Sequence, residues 1–150
     1  MKYTNIERKS KKHIVPDTNI LVSGLLWTGP PHELICMAEE GDIELYTSLE
    51  ILNELESVLR RERFQRRIAT LDIDVEKLMK QVRLLMNIVE IELPDIPLVK
   101  EDPDDDMFLV CAKSAKASMI VSGDYHLLNI GNFEEIQILK VVDALNILKS

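Results

Sequence analysis

Two cysteines among 150 residues, Cys36 and Cys111, are too few for a disulfide scaffold. Both fall in apolar helical patterns, and buried reduced thiols are expected. No apolar run comes near the roughly 20 residues a membrane span needs. The first residues, "MKYTNIERKSKK", are polar and basic and lack the apolar stretch of a secretory signal. They are expected to form a basic, solvated arm over residues 1–12, with the protein in the cytoplasm. There is no internal repeat and no linker rich in Gly or Ser, so residues 13–150 read as one domain. A zinc set of His and Cys, a GxxxxGK[ST] loop and a GxSxG elbow are all missing. Positive charge is also short. A net charge of -8 is awkward for a nucleic-acid binder, and less so if several carboxylates gather round a metal ion.

What the chain does have is alternation. Strand-like stretches at 13–16, 43–48, 89–94, 118–122 and 136–139 are separated by helical patterns. Helices are expected over 18–27, 32–40 (after a break at Pro30-Pro31), 48–61, 74–86, 103–116, 124–129 and 142–148. Thr47 and Glu50 have capping-box spacing ahead of the third of these, and Asp74 suits the cap of the fourth. Alternating strands and helices argue for a parallel sheet covered on both faces. The dense basic stretch "RRERFQRR", 60–67, holds five arginines. It reads as a helix C-terminus followed by a solvated turn. The alternative is a phosphate- or partner-contacting patch through Arg63, Arg66 and Arg67.

In such a sheet, sites form beyond the carboxyl ends of the strands. Asp17 closes the first strand and Asp124 follows "SMIVSG", so both fall on that edge, although each also suits a helix cap. On the helix from Ser48, Glu54 and Glu56 flank opposite borders of the apolar stripe Ile51, Leu52, Leu55, Val58 and Leu59. Helical geometry alone does not choose between them. In "EDPDDDMFLVCAK", Asp102 suits an N-cap before Pro103, and Asp105 suits the capping-box position. Asp106 is left over before an apolar run and is expected to point into protein. Four carboxylates on one edge call for a hard cation such as Mg²⁺ or Mn²⁺. The histidines are dispersed. His13 is expected to pack in a strand and His32 to start a helix, while His126 alone falls near the edge.

Three blocks, "VPDTNILVSGLLW", "TSLEILNELESVLRRERF" and "DPDDDMFLVCAKSAKASMIVSGDYHLL", resemble in order the PIN-domain nucleases. More specifically they resemble the single-domain ribonuclease toxins of toxin–antitoxin pairs (VapC-like toxins). The resemblance implies a three-layer α/β/α sandwich with a five-strand parallel sheet in order 3-2-1-4-5. It also implies metal-dependent RNA cleavage, an antitoxin protein partner and a homodimer. Its acidic quartet falls on Asp17, Glu54, Asp106 and Asp124, and so favours Glu54 over Glu56. Asn19 matches a support residue, and Ser122 falls where a small hydroxyl residue is usual. The run of aspartates leaves Asp102 or Asp105 as an alternative to Asp106.

Two rival readings stand beside this one. A Mg²⁺-dependent phosphatase of the haloacid type needs a second aspartate two residues after the first, where this chain has Asn19. A PIN scaffold could also be catalytically idle or partner-regulated, serving as a protein- or RNA-binding module.

Overall fold

The computed structural model describes residues 10–95, 98 and 105–150. The expected cap at Asp102 and the first ten residues of the arm, apart from Ser10, lie outside them. The central strand β1 (Lys12–Pro16) starts one residue earlier than expected. Its buried residues alternate in direction. Ile14 joins one apolar cluster with Leu45, Met119 and Val121, while Val15 joins another with Ile120 and Ile138. This two-residue period puts apolar side chains on both faces of the strand, so both faces must be covered.

Helices α1 (Thr18–Leu26), α2 (Pro30–Glu39), α3 (Leu49–Leu59), α5 (Val75–Leu85) and α8 (Val141–Lys149) contribute to the first cluster. Helices α6 (Asp106–Ser114) and α7 (Tyr125–Ile130) contribute to the second. The result is an α/β/α sandwich. α1 and α2 pack so closely that a Cβ on Gly24 would lie 2.5 Å from Ile35 Cδ1 and 2.8 Å from the Pro31 carbonyl oxygen. His32 adds a contact between these helices, its Nδ1 lying 2.9 Å from the Gly24 carbonyl oxygen.

The strands β2 (Ile43–Thr47), β3 (Asn87–Ile88), β4 (Met119–Val121), β5 (Asn132–Phe133) and β6 (Ile136–Leu139) complete a sheet in order β3-β2-β1-β4-β6-β5. Leaving out β5, this is the expected 3-2-1-4-5 order with parallel pairing throughout. The extra strand corrects the five-strand, all-parallel expectation: β5 pairs antiparallel with β6 at the sheet edge. Two residues are too few to show a period in sequence. The turn between them also needs Glu134 at φ 55, a left-handed conformation typical of tight hairpin turns.

The third strand is likewise corrected. β3 pairs with Tyr46 and Thr47, and the ladder ends with the Val89 N–H donating to the Thr47 carbonyl, because β2 gives way to α3 there. Beyond it, Val89 and Ile91 keep an inward alternation by packing on the second cluster rather than by strand pairing. Pro30 and Pro31 do not break the chain before α2 but form its first turn, where a missing N–H costs nothing. α3 is capped by Ser48, whose Oγ accepts from the Ile51 N–H, and not by Thr47. Residues 62–70 are not a solvated turn but a separate amphipathic helix, α4 (Glu62–Thr70), anchored by buried Ile68. Asp74 caps α5 as expected. Among the described residues, no helix is long and apolar enough to cross a membrane.

Both thiols are free, but only Cys111 is fully buried, and Cys36 is half-buried. Burial, assisted by the charge of Glu50, pushes the Cys111 thiol up to about 12. Alkylation at pH 8 followed by peptide mass spectrometry should therefore label Cys36 first in the native protein. Cys111 should react only after denaturation, because its thiolate is scarce and shielded. Equal native labelling of both would contradict the packing around α6.

Candidate active site

The sheet order changes direction at β1, whose neighbours are β2 and β4, and the chain leaves both β1 and β4 at the same edge. The register Pro16↔Val121 sets the next residues, Asp17 and Ser122, side by side. Ser122 Oγ donates to Asp17 Oδ2 at 2.5 Å, and the Asp124 N–H donates to Ser122 Oγ at 2.9 Å. The serine therefore links the two strand-end aspartates.

Asp17 is buried. Its Oδ1 accepts from the Ile20 N–H at 2.9 Å, which makes it the N-cap of α1. Burial raises its pKa above the ordinary value, outweighing the bonds from Ser122, Ile20 and the Gly123 backbone, and the charge of Asp124 raises it further. Asp124 moves the other way. A hydrogen bond with Asp105 lowers its pKa most, partial burial opposes that, and the backbone N–H and charge of His126 lower it further. Asp124 also caps its helix, accepting from the His126 N–H at 2.9 Å. Both aspartates therefore serve as caps and still face the site. Each carboxylate oxygen has two acceptor positions, so one role does not exclude the other.

Glu54 comes from α3 on the far side of the cleft, and Thr18 Oγ1 donates to its Oε2 at 2.5 Å. Glu56, its competitor in the sequence, instead pairs with Arg60 on the exposed face of α3. Asp17, Thr18, Asn19, Glu54, Arg61, Asp105, Phe108 and Asp124 together line a cleft of about 190 Å³. Larger depressions exist elsewhere, one of about 820 Å³ beside β3. This smaller one is the one lined by the strand-end carboxylates.

Of the four acids expected here, the structure brings Asp17, Glu54 and Asp124 to the cleft. In place of Asp106 it brings Asp105. Asp106 lies at the start of α6 and its Oδ2 accepts from the Leu98 N–H at 2.8 Å, turned toward the preceding segment. Asp105 precedes the helix and faces Asp124. Asn19 is exposed on the rim, and Ser122 lies buried behind Asp17.

Of the expected arginines, Arg67 donates through Nε to the Leu26 carbonyl at 2.7 Å and lies over the Trp27 ring. Arg63 lies over Phe64, and Arg66 is exposed. None of the three lines the cleft; Arg61 does. The periodicity of α3 did not mark Arg61, because the helix ends at Leu59 and Arg61 is extended. His126 contributes its backbone to Asp124 and does not line the cleft. His13 lies in β1, stacked on Tyr46 with Nε2 3.3 Å from Glu44.

The donor set is all oxygen, which suits a hard cation. Among the described residues, no three acidic, histidine or cysteine side chains form a ready cage for an ion. Mg²⁺ keeps several waters and is commonly held by one or two carboxylates together with a substrate phosphate. Asp17, Glu54, Asp105 and Asp124 are the residues that would hold it.

A layered α/β fold with an acidic cleft at the switch point of its sheet defines the class structurally. The chain belongs to the PIN-domain family: the PIN domain model matches residues 13–126, and members of that family are in general nucleases. No curated protein matches the chain in sequence. Among solved structures, VapBC2 from Rickettsia felis bound to a DNA fragment from their promoter is similar at TM-score 0.54 and 12% identity. That match covers 84% of this chain and 96% of the other. The T. brucei RRP44 PIN domain is similar at TM-score 0.46 and 14% identity, covering 91% and 80%.

The raised pKa of Asp17 generates a test. The folded state binds a proton at Asp17 more tightly than the unfolded state does. Its ionised form therefore costs stability above the folded pKa, and the cost fades as pH falls toward the unfolded value. Asparagine caps a helix as well as aspartate. In EDTA, Asp17→Asn should melt at or above the wild-type temperature at pH 7.5, with the advantage narrowing as pH is lowered. A variant that melts well below wild type at pH 7.5 would show that the charge itself supports the fold.

Proposed function

We propose that this chain is an endoribonuclease that hydrolyses RNA phosphodiesters with Mg²⁺ or Mn²⁺ held by Asp17, Glu54, Asp105 and Asp124. The observation that carries this reading is the gathering of those carboxylates on one cleft at the switch point of the sheet. When bound there, the cation would activate a water and offset the charge of the phosphodiester under attack. The chain's own part is orientation. Ser122 and the Ile20 N–H hold Asp17, Thr18 holds Glu54, and the His126 N–H holds Asp124. The opposed pKa directions of Asp17 and Asp124 support a division of labour. Asp124 stays ionised more readily than Asp17, and Asp17, whose ionised form is disfavoured by burial, gains from a nearby positive charge. Asn19, exposed on the rim, would hydrogen-bond a phosphate oxygen through its amide. Arg63 and Arg66 extend a basic surface along α4, whereas Arg67 is largely engaged in joining α4 to the end of α1.

The cleavage test has three parts. Purified protein should cut single-stranded RNA with Mg²⁺ or Mn²⁺, spare single-stranded DNA of the same sequence, and be silent in EDTA. Glu54→Gln, Asp105→Asn and Asp124→Asn should each lose more than about a hundredfold in rate, about 2.7 kcal/mol of barrier. Asp106→Asn should keep most activity, because an amide oxygen can still accept from the Leu98 N–H. Full activity in chelator would exclude the cation mechanism, and an inactive Asp106→Asn beside an active Asp105→Asn would return the site to Asp106.

In the same reading, the domain of residues 13–150 works in the cytoplasm as the toxin of a toxin–antitoxin pair. A cognate antitoxin protein would suppress cleavage when added. A second copy of the chain is a further partner, and exposed Leu49 and Ile88 beside β3, together with exposed Leu84 on α5, offer it apolar side chains. Sedimentation should give a dimer for wild type and a monomer for Leu84→Glu. A wild-type protein that stays monomeric at tens of micromolar would remove the dimer from this reading.

A further inference from the structure

Among the described residues one cationic side chain, Arg61, lines the carboxylate cleft, and consecutive arginines at the α3–α4 junction have different fates. Arg60 is the C-cap of α3 and still helical, at φ -80 and ψ -6. Its guanidinium reaches Glu56 at 3.0 Å and Glu76 at 2.9 Å, so its charge is committed to tying α3 to α5. Arg61 is the N-cap of α4 in extended conformation, at φ -62 and ψ 143. This change of backbone direction between adjacent residues sends the two side chains apart. Arg61 lines the cleft beside Asp17, Glu54, Asp105 and Asp124. It nevertheless forms no ion pair with any carboxylate among the described residues.

Arg61 shares a cleft of about 190 Å³ with four acids and, among the described residues, forms an ion pair with none of them, so the space beside it is open to an anion. We propose that this space is a phosphate subsite and that Arg61 holds an RNA phosphate next to the one being cut, positioning the strand across the carboxylates. The inference rests on the ribonuclease reading. Guanidinium geometry matches phosphate by two parallel N–H donors, a match that lysine cannot reproduce. Arg61 also resolves a charge problem. A chain with net charge -8 and an acidic cleft repels a polyanion, and a cation on the cleft wall draws the strand to the place where it is cut. Because Arg61 stands on a junction backed by α3 and α4, its Cα is fixed relative to Glu54. The phosphate it holds would be set at a fixed distance from the scissile one.

The test compares wild type with Arg61→Ala and Arg61→Lys. Cleavage of a single-stranded RNA oligonucleotide is followed with Mn²⁺, and binding of the same oligonucleotide is measured in an Asp124→Asn background at several salt concentrations. Thermal melting checks each fold. Arg61→Ala should melt like wild type and lose tenfold or more in kcat/KM, mainly through KM. The slope of log affinity against log salt should shrink by about 0.7, the loss of one single-strand phosphate contact. Arg61→Lys should restore the slope but only part of kcat/KM. Wild-type cleavage with an unchanged slope and kcat/KM in Arg61→Ala would overturn the subsite and leave the ribonuclease reading intact. So would an Arg61→Ala protein that binds Mn²⁺ more tightly with RNA binding unaffected, since Arg61 would then be a counter-charge for the acids. A wild-type protein that neither binds nor cuts RNA would overturn both.

Discussion

A carboxylate buried at the carboxyl end of the central strand must find donors from whatever surrounds it, and at Asp17 the surroundings are the site. Its donors come from α1 through the Ile20 N–H and from the end of β4 through Ser122 and Gly123. The β1–β4 register is therefore written into the same bonds that orient the carboxylate. Charge-assisted hydrogen bonds of this kind contribute about 1.5–3 kcal/mol each, while burying an ion costs several kcal/mol. The upward pKa shift shows which side prevails: the bonds hold Asp17 in place without fully meeting the demand of its charge. An opposite charge brought to the cleft meets that demand.

The capping and site roles of these acids support each other. α1 and α7 both begin where a strand ends, so their first-turn N–H groups point at the edge where the carboxylates gather. A helix N-terminus favours negative charge by about 0.3–1 kcal/mol in exposed settings. That modest gain is enough to select aspartate as cap, and the second oxygen remains directed at the cleft. α3 is capped by neutral Ser48 instead, so its acidic contribution, Glu54, comes from its second turn and needs Thr18 to steady it.

The distribution of positive charge follows from a break in a helix. Were α3 and α4 continuous, Arg60 and Arg61 would differ by about 100° of rotation and share a solvated face. The extended residue between the helices separates them instead. One arginine braces α3 against Glu76 of α5, and the other stands over the cleft. Five of the 18 lysines and arginines thus stand in the short stretch 60–67, and of these Arg61 is the one that lines the cleft.

The layered α/β fold, the strand order and the edge positions of Asp17 and Asp124 were all legible from sequence. Each depends on local signals: the two-residue period of Ile14 and Val15, the helical stripe of α3, and caps that follow strands. Choices between chemically equal neighbours were not legible. Asp105 and Asp106 differ by one residue at a helix start, and a single step of about 100° decides which of them faces Asp124 and which turns to Leu98. Residues 89–94 alternate as a strand should, yet pairing stops at Val89 because β2 has already become α3. The arginine stretch contains no apolar period long enough to announce α4, which forms because Ile68 has a core to enter. Period and capping describe an element relative to its own axis. Only the packed structure decides what each face of that element meets.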